Sequence, residues 1–181
     1  MSALGTVRSR WSDASFVART WGSTPADRAL AFPADRFVRE PVDVYFRAIE
    51  VAAPAPVVFR WLCQLRVAPY SYDLVDNFGR RSPRTLTPGL ERLQLGQRFM
   101  TIFDLVDFEP GRQITLQVAR LRRLFGHTAV TYMVVPAGDG PSRLLVKLLL
   151  GGHRRRELLP FGELVMMRRQ LLNLRDLAER S

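Results

Sequence analysis

The 181-residue sequence has one cysteine, Cys63, one lysine, Lys147, and two histidines, His127 and His153. A lone cysteine excludes an internal disulfide, and a reducing, cytoplasmic setting is the expectation that follows. No Cys-x-x-Cys, His-x-x-x-His or His-Glu-x-x-His spacing occurs, so no metal site is expected. The glycines form neither a Gly-x-x-x-x-Gly-Lys phosphate loop nor a Gly-x-Gly-x-x-Gly dinucleotide turn, so no cofactor is expected either. Long apolar runs are also missing. The longest, Leu144 to Leu150, is interrupted by Lys147 and is far too short to cross a bilayer. Met1 to Gly5 offers no apolar stretch of the signal-peptide kind.

Arginine is what the chain has in excess. Basic residues number 27 against 17 acidic ones, a formal charge of +10, and every basic residue but Lys147 is arginine. Such a surface attracts polyanions, whether nucleic acid, anionic lipid headgroups or an acidic carrier protein. The arginines are dispersed, however, and the short clusters Arg80-Arg81, Arg122-Arg123 and Arg154-Arg155-Arg156 fall at turns and element ends. Nucleic-acid modules interleave basic residues with exposed aromatics or present a reading helix, and neither pattern is evident. Solvated charge is therefore the favoured reading, and a nucleic-acid partner is not expected. The length and a 47% hydrophobic fraction suit one domain with a sizeable core.

The first forty residues differ from the rest. Trp11, Ala14, Val17, Ala18 and Trp21 fall on one helical face, and Pro25, Pro33 and Pro41 then break the chain into short pieces. The reading is a helix and irregular arm over residues 1–41, lying on a domain of residues 42–181. In that domain Val44 to Ala52 reads as a strand, and Pro54 and Pro56 open an amphipathic helix running to Leu65. Tyr70 to Phe78 reads as a short helix or turn. Four further strand-like runs follow: Arg98 to Phe108, long enough to be bulged or split, Gln113 to Leu121, Ala129 to Val135 and Arg143 to Leu150. Their turn-rich separators imply an antiparallel meander. Glu157 to Glu179 closes the chain as the longest helix. Phe161, Leu164, Met167, Leu171, Leu174 and Ala178 share one face, with Arg169, Gln170 and Asn173 opposite. This order is that of an α+β fold. Strands apolar on both faces, as in Leu144 to Leu149, suit a sheet that packs a helix and also walls a cavity.

Specific segments carry a family likeness. Ile49-Glu50-Val51-Ala52-Ala53-Pro54 followed by Val57-Val58-Phe59-Arg60-Trp61-Leu62-Cys63-Gln64-Leu65 resembles the strand, Ala-Pro and tryptophan-bearing helix of the START-like, Bet v 1-like SRPBCC superfamily. Tyr70-Ser71-Tyr72-Asp73, Leu95-Gly96-Gln97, Phe108-Glu109-Pro110-Gly111-Arg112, Ser142-Arg143-Leu144 and the Met167-Arg168-Arg169 run fit in the same order. Trp21-Gly22-Ser23-Thr24 and Phe32-Pro33-Ala34-Asp35 look like the lead-in of one bacterial branch. The resemblance implies the helix-grip fold, a curved antiparallel sheet wrapped around a long C-terminal helix. It also implies the superfamily's range of roles, from lipid carriers to polyketide cyclases and dehydratases.

Function stays open between three readings, taken in this order. The first is a module that binds or transports a hydrophobic small molecule in a cavity between the sheet and the last helix. The second is a cyclase or dehydratase acting in the same cavity, with Tyr70, Tyr72, His127 or Arg168 moving protons. The third is a protein for anionic surfaces. Tyr70 and Tyr72 pair an apolar body with a hydroxyl, which suits a pocket rim or a cap over the core. In the helix-grip fold their segment should lie near the cavity mouth. Met100, Phe103, Met167 and Leu171 are expected lining of a cavity of about 300 to 1,000 Å³. Arg168 could fix an anion there, although a snorkelling or ion-paired arginine is favoured. Lys147 is expected to be solvated on the outer face, Cys63 to be a buried inert thiol, and both histidines to be surface residues.

Overall fold

The five expected strand runs become six strands in the computed structural model, which describes residues 17–38, 42–71, 79, 81–120, 126–138, 140–151 and 159–181. The strands are β1 (Val42–Val51), β2 (Arg98–Phe99), β3 (Phe103–Glu109), β4 (Gln113–Val118), β5 (His127–Pro136) and β6 (Ser142–Gly151). They form one antiparallel sheet in the order β1-β6-β5-β4-β3-β2. The run starting at Arg98 divides because Met100 and Thr101 adopt left-handed backbone conformations, φ 43° and 67°, and turn the chain back on itself. It is bulged as well, since the register slips between Leu105 and Asp107.

Besides the helical residues 17–20, the described residues form three α-helices: α1 (Pro25–Ala29), α2 (Ala55–Cys63) and α3 (Leu159–Ala178), the last with side chains described from Val165 onward. Thr24 starts α1 through a capping box with Asp27, each side chain accepting from the other's backbone N–H. Pro54 and Ala55-Pro56 start α2, where proline's missing N–H is no loss. Helix α3 packs on α2 and β1. Its last turn is tied down by Glu179, which accepts from the Ala52 N–H, and by the Trp61 indole, which donates to Ser181. Met167, Leu171, Leu174 and Ala178 meet the core as the helical spacing requires. Phe161, Leu164 and the segment Tyr72 to Phe78 lie outside the described residues. The curved sheet gripping a long terminal helix is the α+β helix-grip fold.

Strand alternation sorts the sheet into two faces. Tyr45, Ile49, Val51, Leu105, Ile114, Leu116, Val130, Tyr132, Val134, Leu144, Val146 and Leu148 point inward and join α2 and α3 in the main core. Ala48, Leu145 and Met133 point outward and pack on Phe32, while Leu149 and Ala129 pack on Ala34 and Val38. The outward apolar residues are thus roofed by residues 17–38, which run along β1 and then across the outer face. Polar contacts fix the roof. The Ala34 N–H donates to Thr131 Oγ1, Gln117 donates to the Phe37 carbonyl, and Arg143 grips Asp27 and the Gly22 carbonyl. Strands apolar on both faces therefore reflect two covers. Lys147 corrects the expectation of a solvated cation. It does face outward, yet its side chain is only 13% exposed, in an ion pair with Asp35 and over the Phe32 and Phe46 rings.

Candidate functional site

A row of inward residues crosses the middle of the sheet: Arg47, Val146, Tyr132, Ile114 and Phe108, on β1, β6, β5, β4 and β3 in turn. Tyr132 stands at its centre, fully buried. Its hydroxyl donates to Gln170 Oε1 of α3 at 2.7 Å and lies 3.7 Å from the Met167 sulfur. Gln170 is committed at its other end, where Nε2 donates to the Pro69 carbonyl at 2.6 Å and meets the Met100 sulfur at 3.3 Å. A buried carboxamide must satisfy its donors and acceptor. Gln170 does so while clamping α3 to β5 and to the segment that follows α2. This corrects the placement of Gln170 on the solvent side of the last helix. It is 4% exposed, three residues after Met167 and four before Leu174. That spacing puts it in the apolar stripe, and its polarity alone suggested otherwise.

Met100 arrives beside Gln170 because its positive φ turns it there and its N–H donates to the Leu65 carbonyl. Phe103, half-buried, packs against the same core, and Leu171 lies wholly inside it. Met100, Phe103, Met167 and Leu171 therefore all pack on the main core, on the side of the sheet that α3 covers. Tyr70 is buried, edge-on to Trp61 with ring centroids 6.1 Å apart, and carries φ 56°. A left-handed non-glycine residue costs about 1 kcal/mol. The Asn173 side chain, donating to the Tyr70 carbonyl at 2.8 Å, helps hold it there. Tyr72 lies outside the described residues.

Arg168 takes the outward alternative. It is exposed, on the flank of α3 opposite Asn173, and its guanidinium lies 5.3 Å from the centre of the Trp21 ring. Arg175, on the same flank, is paired with Asp176. Arg47 is the buried arginine of the sheet, 1% exposed, donating to the Phe46 carbonyl and stacked near the Tyr45 ring. It went unnoticed in sequence because the apolar residues flanking it, Val44, Phe46, Ile49 and Val51, belong to both faces. Tyr132 was equally hidden within an apolar strand, though a strand tyrosine destined for burial needs a partner for its hydroxyl.

The remaining titratable candidates stay outside this centre. His127 is exposed at the start of β5, and His153 is outside the described residues. Burial pushes the Cys63 thiol up to about 12, which leaves it protonated and inert. Among the described residues no group of three His, Cys, Asp or Glu side chains could hold a metal ion. No helix among them is long and apolar enough to cross a membrane.

No protein-family model and no curated protein matches the sequence. Solved structures do match in fold. A protein from Thermobifida fusca, solved in solution by NMR, has a TM-score of 0.56 at 16% identity, covering 76% of this chain and 93% of that one. The di-domain ARO/CYC StfQ of the steffimycin biosynthetic pathway has a TM-score of 0.48 at 14% identity, covering 77% of this chain and 51% of that one. Norcoclaurine synthase from Thalictrum flavum has a TM-score of 0.46 at 14% identity, covering 79% and 98%.

Proposed function

We propose that this START-like helix-grip chain binds an apolar small molecule between α3 and the inner face of the sheet, with the Tyr132 hydroxyl as its polar contact. The observation that carries this reading is the Tyr132–Gln170 pair, a phenol fixed by a carboxamide among carbon and two thioether sulfurs. Few, oriented polar groups on an apolar wall are how small-molecule sites combine affinity with orientation. Gln170 accepts the phenol's hydrogen bond and so fixes the direction in which the hydroxyl points. Met100, Phe103, Met167 and Leu171 form the wall, Tyr70 backs it beside α2, and Tyr72 is assigned to the mouth. Thioethers suit such a wall because they adapt to ligands of irregular shape. A carboxamide is neither an acid nor a base at ordinary pH. The pair therefore supports holding a ligand rather than moving its protons.

Uptake of a neutral naphthylamine fluorophore, followed by its emission, tests this reading. The native protein takes up the dye. Leu171→Trp fills the wall and abolishes uptake while still melting cooperatively. Undiminished uptake by a folded Leu171→Trp protein would place the site elsewhere. Mass spectrometry of small molecules that co-purify with the native protein then identifies the ligand class.

A further inference from the structure

Two arginine–aromatic stacks lie on the flank where β1, an edge strand of the sheet, faces α3. Trp21 spans this seam. Its carbonyl accepts from the Ala48 N–H on the free edge of β1, its indole packs against the main core, and Arg168 of α3 stacks over the ring. Just before it, Arg19 pairs with Asp43 and lies 5.2 Å from the centre of the Tyr45 ring. The indole of one residue thus sits between the edge strand and the helix.

The two sides of Gly22 are held differently. After it, residues 23–38 are secured by the Asp27–Arg143 pair and by Phe32, Ala34 and Val38, all buried. Before it, residues 17–21 bury one side chain, Ala18, and are otherwise held by the Trp21 contacts, by an ion pair whose arginine is 40% exposed and by the two stacks. Partly exposed contacts of these kinds contribute roughly 0.5–1 kcal/mol each. Val17 in this stretch is itself exposed. Segments with few buried side chains open more often than the fold as a whole. Gly22, at φ 71°, supplies a pivot between the two.

We infer that Trp21 is a gate: the indole swings from the β1–α3 seam, with Gly22 as pivot and the Arg168 stack as latch, and the ligand passes there to the inner face. This rests on the binding reading above and adds the route. A gate sets rates without setting affinity, because it opens equally for entry and exit.

Stopped-flow mixing of the full chain with the same naphthylamine dye separates the two claims. In Trp21→Ala both association and dissociation rise about tenfold, with the dissociation constant changed less than about threefold. Arg168→Gln, which leaves the indole in place, raises both rates about threefold, as does high salt with the native chain to a smaller extent. Thermal melts check that each variant is folded, and Arg168→Gln decides the matter should Trp21→Ala not fold. Unchanged rates in folded variants overturn the gate and leave the binding reading standing. Weaker binding through faster dissociation alone makes Trp21 a wall of the site, which also overturns the gate. No dye uptake by the native chain overturns both claims.

Discussion

The two faces of the sheet are covered by opposite means. Inside, α2 and α3 bury a continuous carbon surface, whose polar contacts include Tyr132 with Gln170 and Arg47 with the Phe46 carbonyl. Outside, smaller apolar patches are interleaved with a polar track. Thr115 and Thr131 share a hydrogen bond, Thr115 donates to Gln113, and Gln113 donates to Asp107. Residues 17–38 cap that track and clamp it with Arg143–Asp27, Lys147–Asp35 and Arg36–Asp107. A helix face satisfies its own backbone and needs only carbon to dock. An irregular segment must find partners for its backbone groups, so the face that receives it has to be polar in places. The inner cover is chosen by area and the outer one by pairing.

Removing the outer cover entirely is the severest way to break this contrast. Deleting residues 1–38 strips away Phe32, Ala34 and Val38, whose burial contributes roughly 5 kcal/mol, comparable to the whole stability of a marginal domain. The shortened chain should be insoluble or melt without cooperativity by circular dichroism. Deleting Met1 to Thr20 should leave a cooperative transition, lowered by about 1 kcal/mol through loss of Arg19. Equal behaviour of the two truncations would mean that the outer cover is dispensable.

Gly22→Ala attacks the same cover at one atom. An added Cβ would stand 2.0 Å from the Ala48 carbonyl oxygen, at a φ that disfavours any side chain. The expected loss is about 3 kcal/mol in thermal or urea unfolding, with faster amide exchange at Ala48, whose N–H bonds Trp21. A variant as stable as the native chain would show that the segment leans on β1 loosely.

Asp27 gives the most specific effect. Arg143 and the cap contacts with Thr24 hold its carboxyl down at about 2, against desolvation that pushes the other way. Because the folded value lies below the ordinary one, the stabilisation is complete above about pH 4 and fades as pH falls toward 2. Asp27→Asn should therefore cost about 2 kcal/mol at neutral pH, and the gap to the native chain should close across that acid window. A gap independent of pH would assign the loss to shape instead of charge.

Much of the frame was legible in the residues. Period-two runs, turn-rich separators and a period-3.6 helix give the order of elements and the grip of sheet on helix. The double apolar pattern of Leu144 to Leu149 was legible too, but alternation states only that both faces are covered and is silent about the cover. Pro33 marks a break in an arm; that its neighbours Phe32 and Ala34 plug the outer face depends on Thr131 and Leu149, about a hundred residues away. The same distance hides the site. Tyr132 and Gln170 are thirty-eight residues apart and each looks ordinary alone. The positive φ values of Tyr70 and Met100 arise from their tertiary bonds to Asn173 and Leu65, which no local preference announces.

The one lysine gives the outer cover a chemical signature. Arginine is inert toward acylating reagents, so in this chain Lys147 carries the only side-chain amine they can find. That amine is sheltered between Asp35 and two phenylalanine rings, all but Phe46 belonging to the cover. Acylation of Lys147 must wait for residues 32–35 to lift away. The rate at which one peptide gains one acyl mass is thus a clock for the undocking of an entire segment, readable in the unmodified protein without any engineered label.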